Sequence, residues 1–422
     1  MNYKSYDMLS YKLHCVKVEK FRKTKIVINF KRKVVKEEIT IRSLLSKVLL
    51  ESSQNYPTSR LMTIKTEELY NLVLNSVSFL SGNYSIIGFE SIFLNDEWVD
   101  DNLFNQAIEF VLDVITNPHV ENNEFFEKSF MLAKTSLEQE IKSIKDNPER
   151  YGMLRLYEEI DSNSVSSYNA VGYLEDLEKI TSRSLYDYYL SMLKSDLIDI
   201  FVISPKESEE IKQLFTNKVK LNILKKQSGS HFVEYQKYRN RNKIVHEKSE
   251  FKQSKLYIGC KFDKLTDFES NYVSVIYSYI LGGGPSSKLF TVVREENSLC
   301  YSISSSFKSI YTFLIISAGI NAKDFKKCLR LIKKELKNMS LGNFEEDKIE
   351  EAKLTYLSSF KELTDSPTSI LNTYISHEYL GKDLIDKREK EIKKVNKKMI
   401  VDFAKKVHVD TVYVLEGSDE DE

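Results

Sequence analysis

The stretch "LGGGPSSKLFTVVREENSLCYSI", residues 281–303, holds the densest glycine cluster in the chain, and its reading decides the rest. A P-loop needs G-x-x-x-x-G-K-[ST], but Lys288 here follows serines and precedes Leu289. A dinucleotide fingerprint needs G-x-G-x-x-G directly after a strand. Gly282, Gly283 and Gly284 are contiguous, and the SNYVSVIYSYIL before them reads as a helix. Neither phosphate reading survives. What remains is a helix closed by glycine and a new helix begun at Pro285–Ser286–Ser287. In that second helix Leu289, Val292 and Val293 face the core, Arg294 sits near the end, and Tyr301 starts the next strand. An arginine fork can grip a carbonyl or carboxylate, and a tyrosine hydroxyl can donate to a developing oxyanion. A surface salt bridge and a core-edge tyrosine are the plainer readings of the same two residues.

Outward from this stretch, strand-like segments mix apolar and polar positions: KIVINFKRK near Lys25, DLIDIFVIS ending at Ser204, SKLYIGCKF from Ser254, YTFLIISAGI from Tyr311, and TVYVLEG near the end. Long amphipathic helices lie between them. In NEFFEKSFMLAKTSLEQEIKSIKDNP, residues Phe126, Phe130, Ala133, Leu137 and Ile141 are spaced to share a face. NFEEDKIEEAKLTYLSSFKELTDSP resembles it. Sliding one half by about 219 positions pairs Phe125 with Phe344, Ala133 with Ala352, Lys134 with Lys353, Asp146 with Asp365, Pro148 with Pro367 and Glu159 with Glu378. One offset that keeps both the helix pattern and the proline break reads as duplication. The fold class is α+β, with an N-terminal domain over 1–205, a linker region over 206–243 and a C-terminal domain over 244–422.

Bulk composition sets the bounds. The chain has 422 residues, 41% hydrophobic and 29% charged, which is ordinary for a globular protein of at least two domains. Sixty-two basic residues balance sixty-two acidic ones, so no global field recruits nucleic acid or a membrane surface. Neither a signal peptide nor a spanning segment is evident, and Cys15, Cys260, Cys300 and Cys328 form no pair motif, which points to the cytoplasm. The terminal GSDEDE reads as a solvated acidic end.

The 281–303 stretch resembles the C-terminal-half signature of the M16 (insulinase or pitrilysin-like) zinc metallopeptidases, LGGG-x-SS-[KR]-LF-x-x-[VL]-RE-x-x-x-L-x-YS. The KLYIGCKF strand and the duplicated helices fit the same family, so the resemblance spans nearly the whole chain. It implies two duplicated peptidase-like domains of the LuxS/MPP-like type, each a mostly antiparallel sheet with helices packed on it. It also implies that Arg294 and Tyr301, presented by the Gly282–Gly283–Gly284 turn, contact a bound peptide.

An active M16 chain carries H-x-x-E-H on a helix of its first domain, where two histidines bind zinc and the glutamate activates water. The six histidines here, His14, His119, His231, His246, His377 and His408, contain no such motif in either direction. Matching the family's following Tyr-Pro to Tyr56–Pro57 puts Ser43 and Lys47 at the histidine positions and Ser46 at the glutamate position. Glu140 falls at the third-ligand position, where, without the histidines, it reads as a solvated or salt-bridged helix residue. The resemblance therefore implies a non-catalytic subunit with no metal of its own. It would complete a peptide chamber for an H-x-x-E-H paralogue that supplies the zinc. The alternative is a stand-alone peptide-binding or scaffold homodimer.

Overall fold

The computed structural model describes residues 2–99, 102–219 and 229–418. Within the region read as a linker, 220–228 lie outside the described residues, as do 419–422 of the acidic end. Compactness divides the chain into two units that are not serial halves. The first comprises residues 1–143, 169–231 and 364–376. The second comprises 144–168, 232–363 and 377–422.

The first unit is built on strands β1 (Asn2–Asp7), β2 (Lys12–Lys17), β3 (Lys23–Lys33), β4 (Val73–Ser81) and β5 (Tyr84–Leu94), a two-residue hairpin β6 (Val120–Glu121) and β7 (Glu124–Phe125), and β8 (Leu197–Ser204). Its six-stranded sheet runs β1-β2-β8-β3-β5-β4, with β2 and β8 parallel and the other pairs antiparallel. Central β3 is buried on both faces, which is why KIVINF reads as a nearly continuous apolar run. Helices Ile39–Val48, Leu103–Thr116, Glu127–Ser143 and Ser182–Ser195 contribute Leu44, Leu45, Ala107, Val111, Ala133, Leu137, Leu185 and Met192 to its core. The Ser208–Lys218 helix, inside the region read as a linker, adds Ile211 and Phe215. The charged neighbours of those two residues masked their helical spacing.

The Glu127–Ser143 helix starts later than its spacing suggested. Phe126 precedes it, half-buried and stacked on His119 with ring centroids 4.3 Å apart, and Phe125 enters the core instead. Arg42, fully buried, pins the Ile39–Val48 helix to the sheet: its guanidinium donates to Asp196 Oδ2 at 2.8 Å and to the Phe30 carbonyl at 2.8 Å. Arg32 Nε holds the other carboxylate oxygen of Asp196 at 2.7 Å, so the buried Asp196 carboxylate is paired on both oxygens.

The second unit contains β9 (Lys243–Lys248), β10 (Ser254–Phe262), β11 (Cys300–Lys308), β12 (Phe313–Ile320) and β13 (Val407–Glu416), ordered β11-β12-β10-β13-β9. β9 and β13 are parallel and the rest antiparallel. This is the first sheet repeated: β9-β13-β10-β12-β11 follows β2-β8-β3-β5-β4 strand for strand, including the single parallel pair. A helix of the chain's first half, Pro148–Ile160, belongs here. Its Gly152 lies against the Tyr257 ring, and Leu156 and Ile160 share a cluster with Tyr257, Phe313 and Tyr413. In return, residues 364–376 join the first unit, where Tyr374 stacks on Tyr3 at 4.6 Å and Thr368 Oγ1 accepts from Lys25 at 3.1 Å. Among the described residues no helix is long and apolar enough to cross a membrane.

Candidate functional site

The glycine stretch is first a packing device. A wide π-type turn, Glu269–Val273, leads into the Ser274–Gly282 helix, which crosses β11 closely. A Cβ on Gly282 would lie 2.7 Å from the Ser305 backbone nitrogen. Gly283 donates to the Tyr279 carbonyl at 2.9 Å, and a Cβ there would meet Tyr279 Cα at 2.5 Å. Gly284 faces open space. The turn that follows is tied down on three sides. Ser287 N–H donates to the Gly284 carbonyl at 3.0 Å, Ser286 Oγ donates to Glu351 at 2.7 Å, and Lys288 pairs with the buried Glu335 at 3.2 Å.

The next helical turn, Phe290–Glu295, is again π-type, with Glu296 N–H reaching back to the Thr291 carbonyl. Such turns recur at functional sites. Leu289 and Val293 are fully buried and Val292 half-buried, which leaves Arg294 exposed with its guanidinium carbon 4.5 Å from the Phe290 ring centre. Ser298, at φ 51°, reverses the chain and donates to the Arg294 carbonyl at 3.0 Å. Where β11 begins, its register against β12 slips between Cys300 and Ser302, so Tyr301 is the extra residue of a β-bulge. A bulge re-aims a side chain. Tyr301 is 64% exposed. Neither an ion pair for Arg294 nor a hydrogen bond for the Tyr301 hydroxyl occurs among the described residues.

In the first unit the positions matched to metal ligands lie together, but each is chemically closed. Ser43 Oγ donates to the Ala170 carbonyl at 3.2 Å and Ser46 Oγ to the Ser43 carbonyl at 2.8 Å. Lys47 Nζ meets Glu140 Oε2 at 2.9 Å, the ammonium neutralising the carboxylate at the third-ligand position. Burial pushes the nearby Glu51 carboxyl up, partly opposed by the same ammonium. These residues do not fit zinc: a lysine ammonium offers no lone pair, and neutral serine hydroxyls are not among the thiolate, imidazole and carboxylate donors that zinc takes. Among the described residues no group of three His, Cys, Asp or Glu is arranged to hold a metal ion. Sequence reasoning did not find Ser52, which bonds Ser129 at 2.7 Å and lies 3.4 Å from His119 Nδ1 just beyond the helix. Ser52 is buried, and no motif signalled it.

A twice-used sheet with helices packed on it defines a duplicated α+β fold in which, among the described residues, the positions matched to metal ligands hold no zinc-binding set. Comparison agrees. Residues 179–356 match the family described as the Peptidase M16 inactive domain. Among its relatives is the probable inactive metalloprotease YmfF of Bacillus subtilis (strain 168), 25% identical over 415 residues and 96% of each chain. A crystal structure of a conserved protein from Enterococcus faecalis V583 superposes with a TM-score of 0.92 at 26% identity over 100% of both chains. A peptidase M16 inactive domain from Pseudomonas fluorescens shares the fold, with a TM-score of 0.79 at 14% identity over 99% of both chains.

Proposed function

We propose that this chain is the non-catalytic subunit of an M16-type peptidase pair. It completes a peptide chamber for a partner that carries H-x-x-E-H and zinc. The observation that carries the reading is the contrast between the two motif regions. The ligand helix is sealed by Lys47–Glu140, whereas Arg294 and Tyr301 stay exposed without polar partners in their own unit. Arg294 would grip a peptide carbonyl or terminal carboxylate, and Tyr301 would donate to the oxyanion formed at the partner's zinc. The resemblance to M16 chains, which pair with one another, supports the same assignment.

The test is to co-express the chain with an H-x-x-E-H paralogue from the same cells, purify through a tag on this chain, and follow cleavage of a quenched peptide. A near-equimolar complex that cleaves, with neither chain active alone, is expected. Arg294→Ala with Tyr301→Phe should lower its rate without dissociating it. A chain that elutes as a homodimer, beside a paralogue fully active alone, would establish the scaffold alternative instead.

A further inference from the structure

Overall neutrality conceals one concentrated field. The Phe325–Leu341 helix, FKKCLRLIKKELKNMSL, buries Cys328, Leu329, Ile332 and Met339 in the second core. Its single carboxylate, Glu335, is also buried and is neutralised by Lys288 at 3.2 Å. The outward face carries only cations. Lys323 just before the helix, then Lys327, Arg330, Lys334 and Lys337 follow at spacings of four and three, with Lys326 beside them; all six are exposed. Alternating four and three traces a straight row along a helix, here roughly 20 Å long at 1.5 Å per residue.

Several other helices of this chain pair lysines internally. Lys142–Glu138, Lys212–Glu209, Lys348–Glu351 and Lys405–Asp402 are all pairs three or four residues apart. Among the described residues, none of Lys326, Lys327, Arg330, Lys334 and Lys337 has a carboxylate at ion-pair distance. Like charges at these spacings repel and weaken the helix that bears them. At the row's end the chemistry changes. Leu341, the next position in the same four-three spacing, is 60% exposed. The following Gly342 lies against Val401 and the Lys397 stem, at the start of the Lys397–Lys405 helix, where Met399 is 37% exposed.

We propose that this face is a peripheral docking surface for an anionic lipid bilayer, held by the lysine row and anchored by shallow burial of Leu341 and Met399. Cations flanked by protruding aliphatic side chains suit lipid headgroups over an acyl boundary. A nucleic acid fits less well. The row is lysine but for Arg330, and no exposed aromatic residue of these two helices offers a stacking platform. The apolar end also has no counterpart on a phosphate backbone.

The test is flotation of the full chain with vesicles of phosphatidylcholine alone and with 30% phosphatidylglycerol, at low and at 0.5 M salt. The chain should float only with the anionic vesicles, and only at low salt. At about 1 kcal/mol per surface cation, Lys327→Glu with Arg330→Glu and Lys334→Glu should weaken partitioning about 100-fold or more. Lys23→Glu with Lys128→Glu and Arg183→Glu, an equal charge change elsewhere, should leave it nearly intact. Leu341→Ser should weaken the binding that persists at intermediate salt. Wild type that fails to float, or a control triple that falls as far as the row triple, overturns the proposal. So does tighter binding to a labelled RNA oligonucleotide, lost in the row triple, than to the vesicles.

Discussion

Substituting alanine at two neighbouring glycines of the signature should have opposite consequences. Gly282 ends a helix that crosses β11, and its added methyl would lie 2.7 Å from the Ser305 nitrogen, 3.0 Å from Ser305 Oγ and 3.1 Å from the Ser304 carbonyl carbon. Two of those atoms are backbone of a strand paired to β12, and Ser305 Oγ is itself tied to the Ser278 carbonyl at 2.9 Å. None can swing aside, so the helix must lift off the strand. Forcing a methyl into packed surroundings costs about 1–3 kcal/mol, of which alanine's stiffer unfolded chain returns about 0.4–1. Gly282→Ala should therefore destabilise by roughly 1–2 kcal/mol. Gly284 has nothing within 4 Å and its φ is not positive, so Gly284→Ala should be neutral or stabilising by up to about 1 kcal/mol. Urea unfolding of both variants, followed by circular dichroism, reads the difference. A Gly282→Ala chain as stable as wild type, or a Gly284→Ala chain as damaged as Gly282→Ala, would refute the argument that close approach is what this stretch needs from glycine.

Lys47→Met should cost no more than about 1 kcal/mol, because both partners of its pair are partly exposed, and the cost should shrink at 0.5 M salt; a larger loss would mean the pair holds the helices together. Burial alone would raise the Asp199 carboxyl, but the His14 contact and Lys31 at 2.8 Å outweigh it and bring it to about 2. Its unfolded value is near 3.8, so this depressed group adds about 2 kcal/mol above pH 4 that is lost as pH falls towards 2. Asp199→Asn should flatten the stability profile over that window, and an unchanged slope there would contradict the assignment. A fragment of residues 1–205 lacks Ile211, Phe215 and the 364–376 segment, and it should show no native near-UV circular dichroism. A native spectrum would show the first unit to be self-sufficient.

The signature, the repeat and the central strands were legible because their physics is local. KIVINF and KLYIGCKF are β-branched or apolar runs in any context, and Gly282 and Arg294 sit at fixed offsets within one stretch. Segment membership was not legible. Pro148–Ile160 follows its parent helix after a short turn, and nothing in its spacing says that Gly152 will lie against Tyr257, more than a hundred residues on. The Tyr301 bulge escaped notice for a related reason. A one-residue register slip is a property of two strands, and only β12 reveals it.

Positions 43–47 and 294–301 differ in how far their own unit satisfies them. Glu140 is a partly exposed carboxylate, so its pairing brings a modest electrostatic gain rather than relief of a buried charge. Lys47 holds it with an ammonium 2.9 Å away, and Ser43 and Ser46 donate their hydroxyls to backbone carbonyls. The polar groups of that stretch thus find partners within their own unit. Among the described residues Arg294 and Tyr301 have no such closure. A β-bulge forfeits regular pairing, and a tyrosine ring left 64% exposed gains little from burial. Stability alone would favour a regular strand and a smaller side chain at 301. The peptide of the proposed function would supply carbonyls for the guanidinium and an oxyanion for the phenol.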